Sequence, residues 1–141
     1  MRIVVAVDGS EHARRAVEWC ARYAPALGAE VVAVHAVETP VYALPTMAYV
    51  AAPPLTDEDR EALHRTIAQE WCGPLSDAGV AFRVVTAEGP PAPVIIEVAQ
   101  REDADLVVTG RRGRGGFAEL VLGSTSHSLT HHLPRPLLIV P

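Results

Sequence analysis

The chain alternates between continuous apolar runs and stretches whose apolar residues recur at helical spacing. The first run, Arg2 to Asp8, reads Arg-Ile-Val-Val-Ala-Val-Asp, which is typical of a parallel strand covered on both faces. A helix should follow, because Ser10 can cap it and apolar residues recur every three or four positions until Gly28. The next apolar run, Glu30 to Val37, then predicts a second parallel strand.

The same pattern predicts three more strands and three more helices. The strands are Ala81 to Thr86, Asp105 to Gly110 and Pro136 to Val140; the helices begin near Thr56, at Pro91 to Pro93 and near Ser124, and the first of them should end or kink at Gly73 and Pro74. Residues Thr39 to Leu55 carry four prolines with no clear period. They predict a long connection between elements.

Five strands alternating with four helices predict a single α/β domain spanning residues 1–141, a Rossmann-like, doubly wound fold. Its five-stranded parallel sheet should carry helices on both faces, with a ligand beyond the carboxyl ends of the strands. No apolar run approaches the roughly 18 residues that span a bilayer. No secretory signal is visible at the start of the chain either, so we expect a cytoplasmic protein with no membrane association.

Composition narrows the choice of function. A formal net charge of -5 argues against a general nucleic-acid binder, which needs a basic surface. The chain has no lysine, which excludes the P-loop lysine and Schiff-base chemistry. Its two cysteines, Cys20 and Cys72, lie in helical patterns and are expected to be buried free thiols.

A glycine-rich segment between the fourth strand and the last helix carries the most specific signal. Gly110, Gly113 and Gly123 precede Ser124 and Thr125 in the spacing Gly-x2-Gly-x9-Gly-Ser. Glycine can adopt positive φ and lets a backbone approach a ligand closely, and a helix N-terminus attracts anions. The segment therefore predicts phosphate binding, although glycines after a strand can also simply turn the chain.

This spacing is similar to the ATP-binding signature of the universal stress protein family. The resemblance extends to Val4 through Ser10 and to Ala104 through Gly110, and it covers nearly the whole chain. It implies the sheet order 3-2-1-4-5 and binding of ATP, commonly with Mg²⁺. The residues it assigns to the nucleotide are Ala6, Val7, Asp8, Ala36, Gly110, Gly113, Gly123, Ser124 and Thr125.

Within that assignment, Asp8 would face the ribose or the adenine, and the backbone of Ala36 would recognise adenine. Asp8 could instead stabilise the helix that follows it. Arg111 and Arg112 depart mildly from the family pattern, and we add them to these nine residues as candidates for binding the nucleotide. With Arg114 they are either solvated or paired with phosphate.

The resemblance implies an ATP-binding stress-response homodimer, paired through the edge strand Leu137 to Val140 and acting on an unidentified partner protein. Hydrolysis would be slow or absent, since no motif places a base beside a nucleophile. The alternatives are a nucleotide hydrolase or transferase on the same fold, a ligand-free dimerisation module, and a flavodoxin-like electron carrier.

Other polar and aromatic candidates have simpler explanations. His127 and His131 have metal-pair spacing, but the sequence offers no third ligand, so no metal site is predicted. His35 is expected to be a partly buried strand-end residue. Trp19 and Trp71 are expected to pack in or beside the core.

Overall fold

The computed structural model describes residues 1–43, 49–113 and 122–141. Within these ranges the elements are, in order, β1 (Arg2–Ala6), α1 (Glu11–Leu27), β2 (Glu30–Val37), β3 (Val41–Ala43), β4 (Tyr49–Ala51), α2 (Asp57–Thr66), a π-helix (Ile67–Trp71), α3 (Gly73–Asp77), β5 (Phe82–Glu88), α4 (Pro91–Arg101), β6 (Leu106–Gly110), α5 (Ser124–His132) and β7 (Leu137–Val140).

Five of the strands form one parallel sheet in the order β5-β2-β1-β6-β7. These are the five strands that the apolar runs predict, so the order corresponds to 3-2-1-4-5 and the predicted fold class is confirmed. The first strand of the chain lies in the middle, with Ile3 beside Val31 on one side and Leu106 on the other. The apolar runs of these central strands are continuous because helices cover both faces of the sheet.

Helices divide the core into two layers. On one face, Val5 packs with Val17 of α1 and Leu75 of α3. On the other, Val4 packs with Val98 of α4 and Leu129 of α5. Successive strand residues point to opposite faces, so neighbouring valines of one strand enter different layers.

The long segment between β2 and α2 differs from its prediction. It contains a small antiparallel hairpin in which Val41 of β3 pairs with Ala51 of β4. Val41 is 60% exposed and Tyr49 is 76% exposed. Because this hairpin buries so little, it leaves no alternating apolar pattern in the sequence.

The predicted helix from Thr56 is also more complex than its spacing suggests. It runs as α2, continues as the π-helix to Trp71, and restarts at Gly73 as α3. The helix is thus interrupted beside Gly73 and Pro74, where an end or kink is predicted, whereas the π-helical turn is not predicted. The ring of Trp71, at the end of the π-helix, meets the ring of His35 edge-on at 5.2 Å between centroids.

Charged groups join the amino ends of the central strands. The Arg2 amide donates to Asp105 Oδ2 at 2.7 Å, and the Arg2 guanidinium donates to Glu30 and to the Glu102 carbonyl. The carboxyl ends of the same strands lie at the opposite end of the sheet.

Candidate functional site

A cleft of about 700 Å³ lies beyond the carboxyl ends of β1, β2 and β6, where α4 and α5 begin. Ten of the eleven predicted site residues line it: Ala6, Val7, Asp8, Ala36, Gly110, Arg112, Gly113, Gly123, Ser124 and Thr125. The structure thus brings together residues from three strands and one helix that are far apart in the sequence.

The floor of the cleft is hollow because small side chains replace large ones there. Ala6 and Ala36 are the last residues of β1 and β2 that pack towards α4 and α5. On the same face, the positions below them hold Val4 and Val34, both buried. The change from valine to alanine opens space at the strand ends.

Two of the signature glycines are required for close backbone approach. A Cβ on Gly110 would lie 2.4 Å from the carbonyl carbon of His12, in the first turn of α1. A Cβ on Gly123 would lie 3.1 Å from Arg112 Cα. Gly123 has φ −70°, and neither Gly110 nor Gly113 has a positive φ. The expected use of positive φ in this motif is therefore wrong for its three described glycines.

Asp8 connects the loop after β1 to the glycine segment. Its Oδ1 accepts a hydrogen bond from the Ser10 amide at 2.9 Å, and Ser10 in turn caps α1 by accepting from the Ala13 amide at 3.2 Å. A Cβ on Gly113 would lie 2.7 Å from Asp8 Oδ2. Asp8 therefore supports the start of α1 and also borders the cleft.

The N-terminus of α5 presents backbone donors to the cleft. The first helical bond runs from the His127 amide to the Gly123 carbonyl at 2.9 Å. The amides of residues 124–126 precede that bond, so the helix supplies them with no acceptor, and within the described ranges no side chain caps this end. Ser126, for which the sequence carries no signal, donates to the Gly110 carbonyl at 2.8 Å and fixes α5 on the end of β6.

The N-terminus of α4 reaches the same cleft but has the opposite character. It begins Pro91-Ala92-Pro93, and proline has no N–H to offer. Pro91 and Ile95 line the cleft. One end of the cleft therefore carries open amides and hydroxyls, and the other carries apolar side chains.

Arg111 and Arg112, the two arginines of the segment within the described residues, occupy different positions relative to the cleft. Arg112 lines the cleft, whereas Arg111 does not. The Arg111 amide donates to the Val140 carbonyl at 2.8 Å, and the Arg111 carbonyl accepts from the Gly123 amide at 2.9 Å. Arg111 thus joins β7 to the glycine segment through its backbone. Arg114 lies outside the described residues.

Several residues that line the cleft were not predicted as site residues: His35, Glu38, Pro91, Ile95, Thr109, Leu122 and Ser126. The Nδ1 atom of His35 lies 2.8 Å from the Val7 carbonyl oxygen. Of these residues, only Glu38 could have been predicted from the sequence. It follows Ala36 by two positions, and in an extended chain its side chain therefore lies on the same face.

The remaining candidates lie outside the cleft. His127 and His131 are exposed on α5 with ring centroids 4.8 Å apart, and the described residues contain no cluster of three metal-binding side chains. Cys20 and Cys72 are free and buried, as predicted, and burial raises the pKa of each thiol to about 12. Over the described ranges, no helix is long and apolar enough to cross a membrane.

Sequence comparison identifies relatives along the whole chain. The family model described as "Universal stress protein family" matches residues 1–141. A universal stress protein of Thermus aquaticus is 35% identical over 139 residues, covering 98% of this chain and 96% of the relative. One from Methanocaldococcus jannaschii is 31% identical over 144 residues, covering 99% of this chain and 81% of the relative.

Solved structures agree with this fold. A universal stress protein crystallised in complex with cAMP superposes with a TM-score of 0.73 at 25% identity, covering 100% of this chain and 96% of that one. A universal stress protein from Lactobacillus plantarum gives a TM-score of 0.78 at 20% identity, covering 100% and 97%. From the family match along its full length and these relatives, the chain belongs to the universal stress protein family.

Proposed function

We propose that this protein is a cytoplasmic, single-domain, ATP-binding universal stress protein that acts as a homodimer on a partner protein. The observation that carries the proposal is the polarity of the cleft. The open amides of α5 suit an anion, and the proline-led end of α4 suits a flat apolar ring. A nucleotide has both of these parts, joined by a sugar.

The phosphates would lie at the N-terminus of α5. Three backbone amides, the hydroxyls of Ser124 and Thr125, and the positive end of the helix dipole all favour negative charge there. Arg112 adds a cation to the same wall of the cleft. The close approach of Gly123 to the Arg112 backbone leaves little room for a side chain at position 123.

Magnesium would enter with the triphosphate. Mg²⁺ prefers oxygen ligands and is commonly held by phosphate oxygens with one or two carboxylates. Among the described residues that line the cleft, Asp8 is the carboxylate that borders the glycine segment, at Gly113. Its position suits either the ribose hydroxyls or water molecules around the cation.

The adenine would lie over Ala6 and Ala36. These small residues leave a flat space beside Pro91 and Ile95, and apolar walls with a few polar groups are typical of ligand sites. The relative with bound cAMP supports an adenine ring rather than another base. The backbone of Ala36 would supply hydrogen bonds to the ring edge.

We propose binding with slow or no hydrolysis. Among the described residues, Asp8 is the carboxylate beside the proposed phosphate end, and its Oδ1 already accepts a hydrogen bond from the Ser10 amide. A general base must be within reach of the water that it activates. The nucleotide would therefore act chiefly by stabilising the loop after β1 and the glycine segment around it.

The first experiment is mass spectrometry of small molecules released from gently purified protein, followed by calorimetric titration of ATP and Mg²⁺ into stripped protein. We expect ATP or ADP in the released fraction and saturable rebinding of ATP. Absence of both would overturn the proposal and leave a ligand-free dimerisation module. Sustained phosphate release would favour the hydrolase alternative instead.

Gly123→Val tests whether the glycine segment binds the ligand. The new side chain would contact the Arg112 backbone and occupy the phosphate end, while φ −70° remains acceptable for valine. We expect a folded protein whose ATP affinity falls at least about tenfold, which is about 1.4 kcal/mol. Unchanged affinity in a folded variant would remove the segment from the site.

A further inference from the structure

Glu38 is the acidic side chain at the end of the cleft farther from α5 in the proposed arrangement. It follows the last residue of β2 and lines the cleft together with Ala36, Pro91 and Ile95. We propose that Glu38 selects the base of the bound nucleotide by accepting a hydrogen bond from an exocyclic amino group. This inference rests on the proposed function and assigns its base specificity.

Strand alternation places Glu38 on the correct face. Val34 and Ala36 pack towards α4, whereas Val31 and Ala33 pack towards α1. The chain remains extended to Val37, whose carbonyl accepts from the Gly89 amide at 3.0 Å. Glu38, two residues after Ala36, therefore continues the row that forms the floor of the cleft.

The neighbouring residues offer few competing polar groups. Pro91 has no N–H, and Ile95 has no polar side-chain atom. His35 also lines the cleft, but its ring meets Trp71 in the other layer and its Nδ1 lies 2.8 Å from the Val7 carbonyl oxygen. Glu38 is thus the charged side chain available to the ring edge among the described residues that line this end.

A carboxylate distinguishes amino from oxo groups by their hydrogen-bonding capacity. An ionised glutamate only accepts hydrogen bonds. Adenine presents a 6-amino donor, whereas hypoxanthine presents a 6-oxo acceptor of nearly the same size, which Glu38 would repel. A hydrogen bond to a charged group is stronger than one between neutral groups, and the exposure of Glu38 to solvent reduces that advantage.

The test compares ATP with inosine triphosphate by calorimetry on the whole chain. We expect the wild-type protein to bind ATP about tenfold more tightly than inosine triphosphate, which corresponds to about 1.4 kcal/mol. In Glu38→Gln the preference should fall to about threefold or less, because an amide can donate to the 6-oxo group as readily as it accepts. Exposure of Glu38 means that the variant should fold normally.

Glu88→Gln is the matched control. Glu88 ends β5 opposite Val37, is exposed, and pairs with Arg60 at 2.5 Å rather than lining the cleft. This variant should keep the full preference for ATP. Equal binding of both nucleotides by wild type, or an undiminished preference in Glu38→Gln, would overturn the inference while leaving the proposed function intact. If wild type binds neither nucleotide, the proposed function itself fails.

Discussion

Gly110 shows how a single residue of the glycine segment is fixed by packing rather than by a ligand. It ends β6 beneath the first turn of α1, where an added Cβ would lie 2.4 Å from the His12 carbonyl carbon and 2.8 Å from the Ala13 nitrogen. Backbone atoms cannot move aside as a flexible side chain can. Part of the motif is therefore a structural requirement of the α1 contact.

Gly110→Ala should consequently destabilise the fold. Forcing extra volume into a packed site costs about 1–3 kcal/mol, and we expect a loss of that size in the free energy of unfolding measured with urea. Gly73→Ala is the control, since a Cβ added at Gly73 would meet nothing within 4 Å. Equal stability of the two variants would contradict this account of Gly110.

The two thiols should be unreactive in the folded protein. Burial raises the pKa of Cys20 and Cys72 to about 12, and the thiolate is the reactive species. At pH 8 we expect iodoacetamide to modify the native protein at least about 100-fold more slowly than the urea-unfolded chain, measured by intact mass. Comparable rates would show that these residues are accessible.

The same thiols make the stability of the protein depend on pH only in alkali. In the unfolded chain they ionise near their ordinary pKa of about 8.5, whereas the folded protein keeps them protonated. Their contribution is therefore fully present below that pH and is lost progressively as the pH rises towards 12.

At the scale of elements, α2 depends on its capping box because none of its residues is buried. The Thr56 hydroxyl donates to Asp59 Oδ2 at 2.7 Å and accepts from the Asp59 amide at 3.1 Å. The hydrogen bonds from the Thr56 hydroxyl and amide lower the pKa of Asp59. This stabilisation is present above the ordinary carboxyl pKa and is lost as the pH falls through the lowered value.

Thr56→Val should remove the hydrogen bond from the Thr56 hydroxyl, which lowers the pKa of Asp59 more than the hydrogen bond from the Thr56 amide does. We expect the pKa of Asp59, followed by NMR of its side-chain carboxyl carbon, to rise towards the ordinary value of about 3.9. Amide exchange at the start of α2 should accelerate as well. Thr56→Ser keeps the hydroxyl and should leave both measurements close to wild type; a Thr56→Val protein with an unchanged pKa would contradict the assignment.

Elements buried on two faces were the most predictable from sequence. The runs at β1 and β2 are apolar throughout because helices cover both sides. The π-helix was missed because Leu63, Ile67 and Trp71 have a spacing that also fits an ordinary helix. The wider turn is marked by the Cys72 amide, which donates to the carbonyl of Ile67 five residues earlier, and the sequence carries no local signal for that bond.

One end of the candidate site could be predicted from the sequence and the other could not. The glycine segment and α5 are consecutive in the chain, so their spacing could be recognised directly. The apolar end depends on α4 lying over β2, which no local pattern specifies. Pro91 and Pro93 predict the start of a helix, but the sequence does not indicate that Pro91 lines the cleft and offers it no N–H donor.

At the scale of the whole molecule, β7 leaves one edge of the sheet open within the described part of the chain. The carbonyls of Pro136 and Val140 accept from the amides of Val107 and Arg111, in β6 and directly after it. Alternation then turns the main-chain groups of Leu137 and Ile139 outward. An apolar edge strand invites pairing with another chain, and this supports the proposed homodimer through Leu137–Val140.

Ile139→Pro should separate the dimer without unfolding the subunit. It deletes one outward N–H and preserves every bond between β6 and β7, and proline is tolerated on edge strands. We expect analytical ultracentrifugation to show a dimer for wild type and a monomer with normal circular dichroism for the variant. Ile139→Val retains the N–H and should remain dimeric. A dimeric proline variant would place the interface elsewhere.

The central position of β1 also sets the timing of folding. Ile3 pairs with Leu106, so one side of β1 has no partner strand until more than one hundred residues have been synthesised. At about 5–20 residues per second, the ribosome needs roughly 5–20 s to supply β6. During this interval Ile3, Val4 and Val5 lie at an exposed, aggregation-prone edge. The nascent chain is therefore expected to need chaperone protection in the interval before β6 emerges.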